Sequence, residues 1–158
     1  MAFDKILELL DNNKIEYVVH EHSAIPNVAT AINVVDFDLD RCLKTLAFKY
    51  NDNIIFVCLP AMSKLDYAKL SKWLGVNRKD IKMLDGVVLT NLGFGDGGVA
   101  PFKIDNSIKV LFDDSVQPNT IVYCGSGVST KTIEINSSKL FEINNATILD
   151  LQKNKKQG

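Results

Sequence analysis

The chain has 158 residues, a formal net charge of -1 and 46% hydrophobic residues. That length suits one domain with its own core, which we predict over residues 1–152, followed by a polar tail at 153–158. The near-neutral charge does not by itself indicate a nucleic-acid binder. No apolar run approaches the roughly 20 residues that span a bilayer, and the first residues lack a secretion signal. We therefore expect a cytoplasmic protein with no membrane partner.

The first forty residues predict a helix, a strand and a second short helix. Apolar residues at i, i+3, i+4 and i+7 from Phe3 onward indicate an amphipathic helix over residues 2–12. A strand is expected at 16–20, a short helix at 27–35 and a turn at 36–40.

A β-hairpin and a helix are expected next. Residues 44–50 alternate in hydrophobicity, Asn51-Asp52-Asn53 suits a turn, and 54–59 form an apolar strand. Ser63 and Asp66 resemble a capping box, which would start a helix at Ser63 that Gly75 ends. The side chains expected on its buried side are Leu65, Ala68, Leu70, Trp73 and Leu74.

The remaining elements are mostly strands. They are expected at residues 87–90, 108–112, 120–124 and 132–135, with a helical turn at 137–141. Early helices followed mainly by strands favour a mixed α/β domain over a repeated βαβ winding.

Charge is distributed unevenly along the chain. Residues 1–40 hold eight acidic residues against two lysines, whereas 64–82 hold six basic residues against two acidic ones. The second stretch could meet a phosphate backbone, and a solvated helix surface explains it equally well.

A glycine-rich run spans residues 93–101 and contains four of the nine glycines, followed by Pro101. Glycine permits positive φ and close approach of another molecule to the main chain, and proline fixes the exit. The run is either a rigid cradle whose amides face an oxygen atom or a tight connection between two strands.

Several side chains are candidates for chemistry. His20 and His22 would share a face of a strand and could begin a metal site. The other interpretation is that they hydrogen-bond locally or line a cleft. Lys44 is either held in a cleft or exposed on its strand. Cys42 is a conceivable nucleophile, but it has no partner base in the sequence. The three cysteines have no Cys-x-x-Cys spacing, which indicates neither a disulfide framework nor a zinc site.

Four segments occur along the chain in a specific order. They are Leu43-Lys44-Thr45-Leu46 before a hairpin, a lysine-rich stretch at 64–70, the glycine-rich run ending in Gly97-Gly98-Val99-Ala100-Pro101-Phe102, and Asp113 after a strand. Over nearly the whole chain, this order and spacing resemble the YbaK/EbsC family of aminoacyl-tRNA editing domains.

The resemblance implies a mostly antiparallel, partly barrel-like mixed sheet surrounded by helices, and hydrolysis of an amino acid wrongly attached to tRNA. Lys44 and Gly98 take the positions of the catalytic residues. The implied substrate-binding residues are Thr45, Gly97, Val99, Ala100 and Pro101, with Gly125, Ser126 and Gly127 in a second turn. Some bacterial members of the family carry aspartate where this chain has Thr132. The resemblance therefore does not imply that this chain has their amino-acid specificity.

The implied partners are a mischarged tRNA and an aminoacyl-tRNA synthetase, and no cofactor or metal is expected. Loop amides near Gly98 would stabilise the oxyanion while Lys44 anchors ribose or phosphate oxygens. The attacking group would be water or a hydroxyl of the substrate. Two alternatives stay open: a non-catalytic tRNA- or synthetase-binding module, and a hydrolase of small carboxylate or phosphate esters.

Overall fold

The computed structural model describes residues 1–24, 37–95 and 99–154. The helix expected at 27–35 and the predicted site residues Gly97 and Gly98 lie outside these ranges. The division into a domain over 1–152 and a tail at 153–158 stays a prediction.

Four helices and eight strands make up the described chain, with two short 3-10 turns at Leu39–Arg41 and Arg78–Asp80. The helices are α1 (Ala2–Asn12), α2 (Tyr67–Leu74), α3 (Gly86–Asn91) and α4 (Ser137–Asn144). The strands are β1 (Tyr17–Glu21), β2 (Leu43–Tyr50), β3 (Asn53–Pro60), β4 (Lys82–Met83), β5 (Ile108–Asp113), β6 (Ile121–Gly125), β7 (Lys131–Asn136) and β8 (Thr147–Leu149).

The strands form two sheets joined at one point. One sheet has the order β1-β7-β6 and is antiparallel throughout. The other has the order β4-β2-β3-β5-β8, and only its β3–β5 and β5–β8 pairs are parallel. A parallel bridge between Cys42 and Tyr123 connects the start of β2 to β6. This confirms the expected mixed α/β fold with mostly antiparallel pairing.

The larger sheet separates two apolar cores because alternate residues of a strand point to opposite faces. On one face Phe56 and Cys58 pack with Ile6 of α1 and Ile133 of β7. On the other face Phe48, Val57 and Leu59 pack with Leu65 and with Leu70 of α2. The predicted hairpin is confirmed, with Thr45 paired to Cys58 and Asn51 in the left-handed region.

The start and the buried side of α2 differ from expectation. The helix begins at Tyr67 because the Asp66 carboxylate accepts the amide hydrogens of Ala68 and Lys69. The Ser63 hydroxyl instead donates to the carbonyl of Pro60, 2.6 Å away. Ala68 is exposed, and Trp73 is 41% exposed. Lys109 lies 4.9 Å from the centre of the Trp73 ring, so this side chain contacts a cation instead of the core.

The strand predicted at 87–90 is wrong. These residues lie in helix α3, because the Asp85 carboxylate accepts the amide hydrogen of Val87 at 2.7 Å and starts a helical turn. Val88 and Leu89 then pack against the first core while Val87 is exposed. The β-branched valines favour a strand, but capping and burial of one helix face outweigh that preference.

Within the described residues, none of the helices is both long enough and apolar enough to cross a membrane.

Candidate active site

Strand register places the candidate residues in rows across one face. Gly125 of β6 pairs with Thr132 of β7, which pairs with His20 of β1. The parallel bridge of Cys42 to Tyr123 sets Lys44, two residues further along β2, level with Gly125. Paired residues share a face of a sheet, so a row of Lys44, Gly125, Thr132 and His20 crosses four strands.

Lys44 lies at the edge of the second core. It points to the same face of β2 as Leu46 and Phe48, and its ammonium donates a hydrogen bond to the Ser63 carbonyl. Burial lowers the pKa of Lys44, and the neighbouring positive charge of Lys64 lowers it further. Lys44 is therefore half-buried and not exposed on its strand.

Thr45 points to the opposite face of the sheet. Its hydroxyl is buried, has no hydrogen-bonding nitrogen or oxygen partner among the described residues, and lies beside the Cys58 thiol across the hairpin. Burial raises the pKa of that thiol well above its usual range, and the Thr45 contact offsets only part of this. A ligand beside Lys44 could meet the main chain of Thr45 but not its hydroxyl.

Gly125 is the point where β6 meets the glycine-rich run. A methyl carbon on Gly125 would overlap the carbonyl oxygen of Val99 and lie 3.4 Å from the Cα of Ala100. Only a residue without a side chain allows this approach. The structure therefore brings together Lys44, Gly125 and Val99, which are far apart in sequence.

Both ends of the glycine-rich run are fixed in the protein. Phe94 packs edge to face against Phe56 at 5.5 Å before the run, and Ala100 and Phe102 after it are fully buried. The buried Asn144 side chain donates to the Pro101 carbonyl at 2.7 Å and accepts the Lys103 amide hydrogen at 2.8 Å. Ala100 and Pro101 therefore fix the end of the loop, and their role in substrate binding stays a prediction.

The turn after β6 is built by its own hydrogen bonds. Ser126 is fully buried, and its hydroxyl lies 2.5 Å from the Lys131 carbonyl and 3.0 Å from that of Val128. Gly127 has φ +94°, and a methyl carbon there would lie 2.9 Å from the Phe3 amide nitrogen. The structure thus places Ser126 and Gly127 behind Gly125 as supports.

The first turn of α1 contacts both the start of the glycine-rich run and the turn that follows β6. The Ala2 amide donates to the Gly93 carbonyl at 2.8 Å. A methyl carbon on Gly93, which has φ +99°, would lie 2.8 Å from that same nitrogen. Gly93 before the loop and Gly127 after β6 therefore pack against one helix end.

The two histidines make separate polar pairs. His20 Nε2 lies 3.0 Å from a Glu134 carboxylate oxygen. His22 Nε2 lies 2.8 Å from the Thr132 hydroxyl, and its Nδ1 lies 2.7 Å from the Ser23 carbonyl. Only the contact of His22 with Ser23 is local in sequence, as one interpretation expected, and the other two partners lie on β7. The Thr132 partner of His22 was not recognised from the sequence, because 110 residues separate them.

An aromatic group closes one end of the row. The rings of Phe37 and Tyr123 stack at 4.2 Å with 8° between their planes, and His20 meets Phe37 edge to face at 4.9 Å. Sequence reasoning missed Phe37 and Tyr123. The alternation of β6 would have placed Tyr123 on the face of Gly125, but nothing local indicated the ring that covers it.

The conceivable nucleophile Cys42 has unfavourable electrostatics. Burial and the nearby Asp38 carboxylate raise the pKa of its thiol to about 11. A thiol attacks as its thiolate, so Cys42 is disfavoured as a nucleophile at neutral pH.

In the basic stretch near Lys44, some lysines are exposed and one is bound to neighbouring side-chain and main-chain oxygens. Lys64 and Lys72 are exposed. Lys69 lies 2.9 Å from the Asp150 carboxylate and donates to the Gln152 carbonyl at 2.7 Å. The free positive charge therefore begins beside Lys44 and continues along the outer side of α2.

Asp113 supports the second core. Its carboxylate accepts hydrogen bonds from the Leu151 amide at 2.7 Å, from the Gln152 side chain at 2.9 Å and from Ser115. Asp114 and Asp150 place carboxylate oxygens within 4.8 Å of it. These contacts give Asp113, the last residue of β5, a structural role.

Comparisons with known proteins agree with this geometry. Residues 22–143 match the model of the aminoacyl-tRNA editing domain family. The proline–tRNA ligase of Staphylococcus aureus strain JH1 is 27% identical over 136 residues, and that of strain Newman is 26% identical. These matches cover 78% of this chain and 24% of each ligase, so the chain corresponds to about a quarter of those relatives.

Two solved structures share the fold. The hypothetical protein APE2540 aligns with a TM-score of 0.81 and 20% identity, covering 94% of this chain and 99% of its own. A protein proposed to be a trans-editing enzyme for prolyl-tRNA synthetase aligns with a TM-score of 0.78 and 18% identity, covering 96% and 97%. Together with the match over residues 22–143, this shows that the chain belongs to the aminoacyl-tRNA editing domain family.

Proposed function

We propose that this protein is a cytoplasmic trans-editing deacylase that hydrolyses the ester bond of a mischarged tRNA. Lys44 and the loop containing Gly98 position the substrate and stabilise the oxyanion. The observation that carries the proposal is that strand register sets Lys44 level with Gly125, and that Gly125 in turn contacts the Val99 carbonyl of the glycine-rich run.

The chemistry requires little activation of the substrate. An aminoacyl ester has an electrophilic carbonyl and a ribose hydroxyl as leaving group, so charge stabilisation and positioning supply most of the catalysis. Main-chain amides of residues 97–99 are proposed to donate to the developing oxyanion, each worth roughly 3 kcal/mol. The half-buried ammonium of Lys44 adds a positive charge beside them.

The surface around Lys44 suits a polyanionic substrate. Lys64 is close enough to lower the pKa of Lys44, and its side chain is exposed. A phosphate near the tRNA terminus could therefore contact Lys64 while the ester reaches Lys44. The likeness to proline–tRNA ligases makes tRNA for proline the first substrate to test and a synthetase the first protein partner.

The test is deacylation of a panel of mischarged tRNAs. Proline tRNA charged with alanine, cysteine, serine or threonine is incubated with the protein, and loss of the labelled amino acid is followed. We expect one of these amino acids to be removed faster than the others, and faster than proline is removed from correctly charged prolyl-tRNA. Binding of every charged tRNA without hydrolysis would contradict the enzyme and support the non-catalytic binding module. Equal hydrolysis of simple amino-acid esters would support the small-ester hydrolase.

A further inference from the structure

Resting on the proposed function, we infer that the Trp73 ring stacks on an unpaired nucleobase of the tRNA, a few nucleotides before the ester at Lys44. This contact lies on helix α2. It extends the substrate site from the ester to the single-stranded end of the tRNA.

The exposure of Trp73 is not explained by packing of the fold. Trp73 is the one tryptophan of the chain and lies in the last turn of α2. Its side chain is 41% exposed, whereas Leu70 of the same helix is fully buried in the second core. Tryptophan is enriched where proteins contact their partners, because its large ring gains from being covered. The ring is therefore available to a ligand.

The charge around the Trp73 ring is positive. The Lys109 ammonium lies 4.9 Å from the ring centre, and Lys109 is exposed. Lys72, the neighbour of Trp73 in α2, is exposed as well. No acidic residue occurs in the sequence from Tyr67 to Lys79. Proteins hold single-stranded nucleic acid by this combination, since the ring stacks on a base while the cations meet phosphates. The charge therefore favours a nucleotide over an apolar protein segment.

Other basic side chains of this region hold α2 in place. The Lys69 ammonium lies 2.9 Å from the Asp150 carboxylate. The Arg78 guanidinium lies 3.7 Å from the centre of the Tyr67 ring and donates to a main-chain carbonyl at 3.3 Å. These contacts attach both ends of the helix to neighbouring segments. The Trp73 ring is thus carried by a fixed helix, which lowers the entropy lost when a base stacks on it.

Strand register gives the separation between Trp73 and Lys44. Lys44 pairs with Leu59, and Lys109, which contacts Trp73, pairs with Ile55 of the same strand β3. Four residues along β3 span about 13 Å, and two strand spacings across the sheet add about 10 Å, so Lys44 and Lys109 are roughly 16 Å apart. A stacked strand advances about 3.4 Å per nucleotide, so roughly five stacked nucleotides, or fewer extended ones, cover this distance. The unpaired 3′ end of a tRNA has this reach.

The test is the fluorescence of the wild-type protein. Because the chain has one tryptophan, its fluorescence reports the Trp73 ring alone. Uncharged proline tRNA is added, and in parallel the same tRNA without its unpaired 3′ nucleotides, with free tryptophan as the correction for light absorbed by RNA. We expect the intact tRNA to quench the fluorescence, because a stacked base is in direct contact with the indole. The shortened tRNA should leave the fluorescence unchanged.

Substitution separates stacking from charge. Trp73→Leu keeps an apolar side chain that suits a helix, and the affinity for intact tRNA should fall between about 5-fold and 150-fold. Trp73→Phe should recover part of this loss. The slope of log affinity against log salt should stay unchanged in both variants, because no cation is removed. Ile148→Ala is the matched control, since Ile148 is 46% exposed on β8, and it should bind tRNA like the wild type.

Four results would overturn the contact. Unchanged fluorescence of the wild-type protein at saturating tRNA removes Trp73 from the site while the deacylase assignment stands, and so does a Trp73→Leu affinity within twofold of wild type. Equal quenching by the shortened tRNA shows that the ring does not take the unpaired end. Quenching by a proline–tRNA ligase but not by tRNA identifies a protein-docking surface instead. A protein that neither binds nor deacylates any charged tRNA overturns the proposed function and the contact with it.

Discussion

Gly125 and Val99 are in direct contact, so that any side chain at position 125 would overlap the Val99 carbonyl oxygen. Gly125 ends β6 and Val99 follows Gly98, so this contact attaches the glycine-rich run to the sheet that carries Thr132 and His20. The position of the loop relative to Lys44 therefore depends on having glycine, with no side chain, at position 125.

Gly125→Ala should displace the loop and reduce single-turnover deacylation by roughly 100-fold, because a misplacement of about 1 Å costs that much in positioning. Overpacking should also lower the free energy of unfolding by about 1–3 kcal/mol. Gly95→Ala is the matched control, since no atom lies within 4 Å of a methyl carbon there. Equal rates for the two variants, measured on folded protein, would show that the contact does not position the loop.

Lys44→Ala should reduce deacylation by roughly 100-fold, as loss of one group that stabilises the oxyanion does, with little change in circular dichroism. Lys44→Arg should recover only part of the rate because its planar fork cannot replace a compact ammonium that bonds to the Ser63 carbonyl. Lys49→Ala, an exposed lysine on the same strand, should retain the wild-type rate. Full activity in Lys44→Ala would remove this lysine from the mechanism.

Neutralising Lys64 and Lys72 together should weaken tRNA binding and reduce its dependence on salt. Each lost phosphate contact lowers the slope of log affinity against log salt by about 0.7–0.9, so the double glutamine variant should lose about 1.5. Lys69→Gln should leave the slope unchanged, because the Lys69 ammonium is already bound to Asp150 and Gln152. An unchanged slope in the double variant would identify α2 as a solvated surface.

Asp113→Asn should make stability less sensitive to acid. Burial raises the pKa of Asp113, but hydrogen bonds from Ser115, Leu151 and Gln152 outweigh it, and the pKa lies below its ordinary value. The ionised form therefore stabilises the fold above about pH 4, and this stabilisation is lost as pH falls through the lowered pKa. Urea unfolding at pH 7 and pH 3 should show a smaller loss for the variant. An equal loss would mean that other groups cause the acid sensitivity.

The local elements were predictable where neighbouring residues decide them. The hairpin follows from alternation and from Asn51, which tolerates the left-handed conformation that the turn needs. Helix α1 follows from its apolar spacing. The errors at α2 and α3 arose because an aspartate cap decides where each helix starts. Asp66 starts α2, where the upstream Ser63 suggested an earlier start. Asp85 starts α3, where the valines that follow suggested a strand.

The site was predictable only in part. Lys44 and the glycine-rich run could be named from residue type and order, but their meeting at Gly125 depends on the bridge of Cys42 to Tyr123, which joins strands 81 residues apart. The pairing of His22 with Thr132 has the same origin. Such long-range register is set by the packing of both sheets around the cores, and no single stretch of sequence contains it.

Gly93 and Gly127 both pack on the first turn of α1, so a helix that supplies no residue to the Lys44 row acts as its common anchor. Opening of this helix end would release the entrance of the glycine-rich run and the turn beyond Gly125 in one event. Hydrogen exchange at the Ala2 amide should therefore follow exchange in the turn at 126–130. One local opening would then set both the stability of this region and the position of the substrate, and substitutions at Ala2 would slow the reaction although Ala2 is not among the proposed substrate-binding residues.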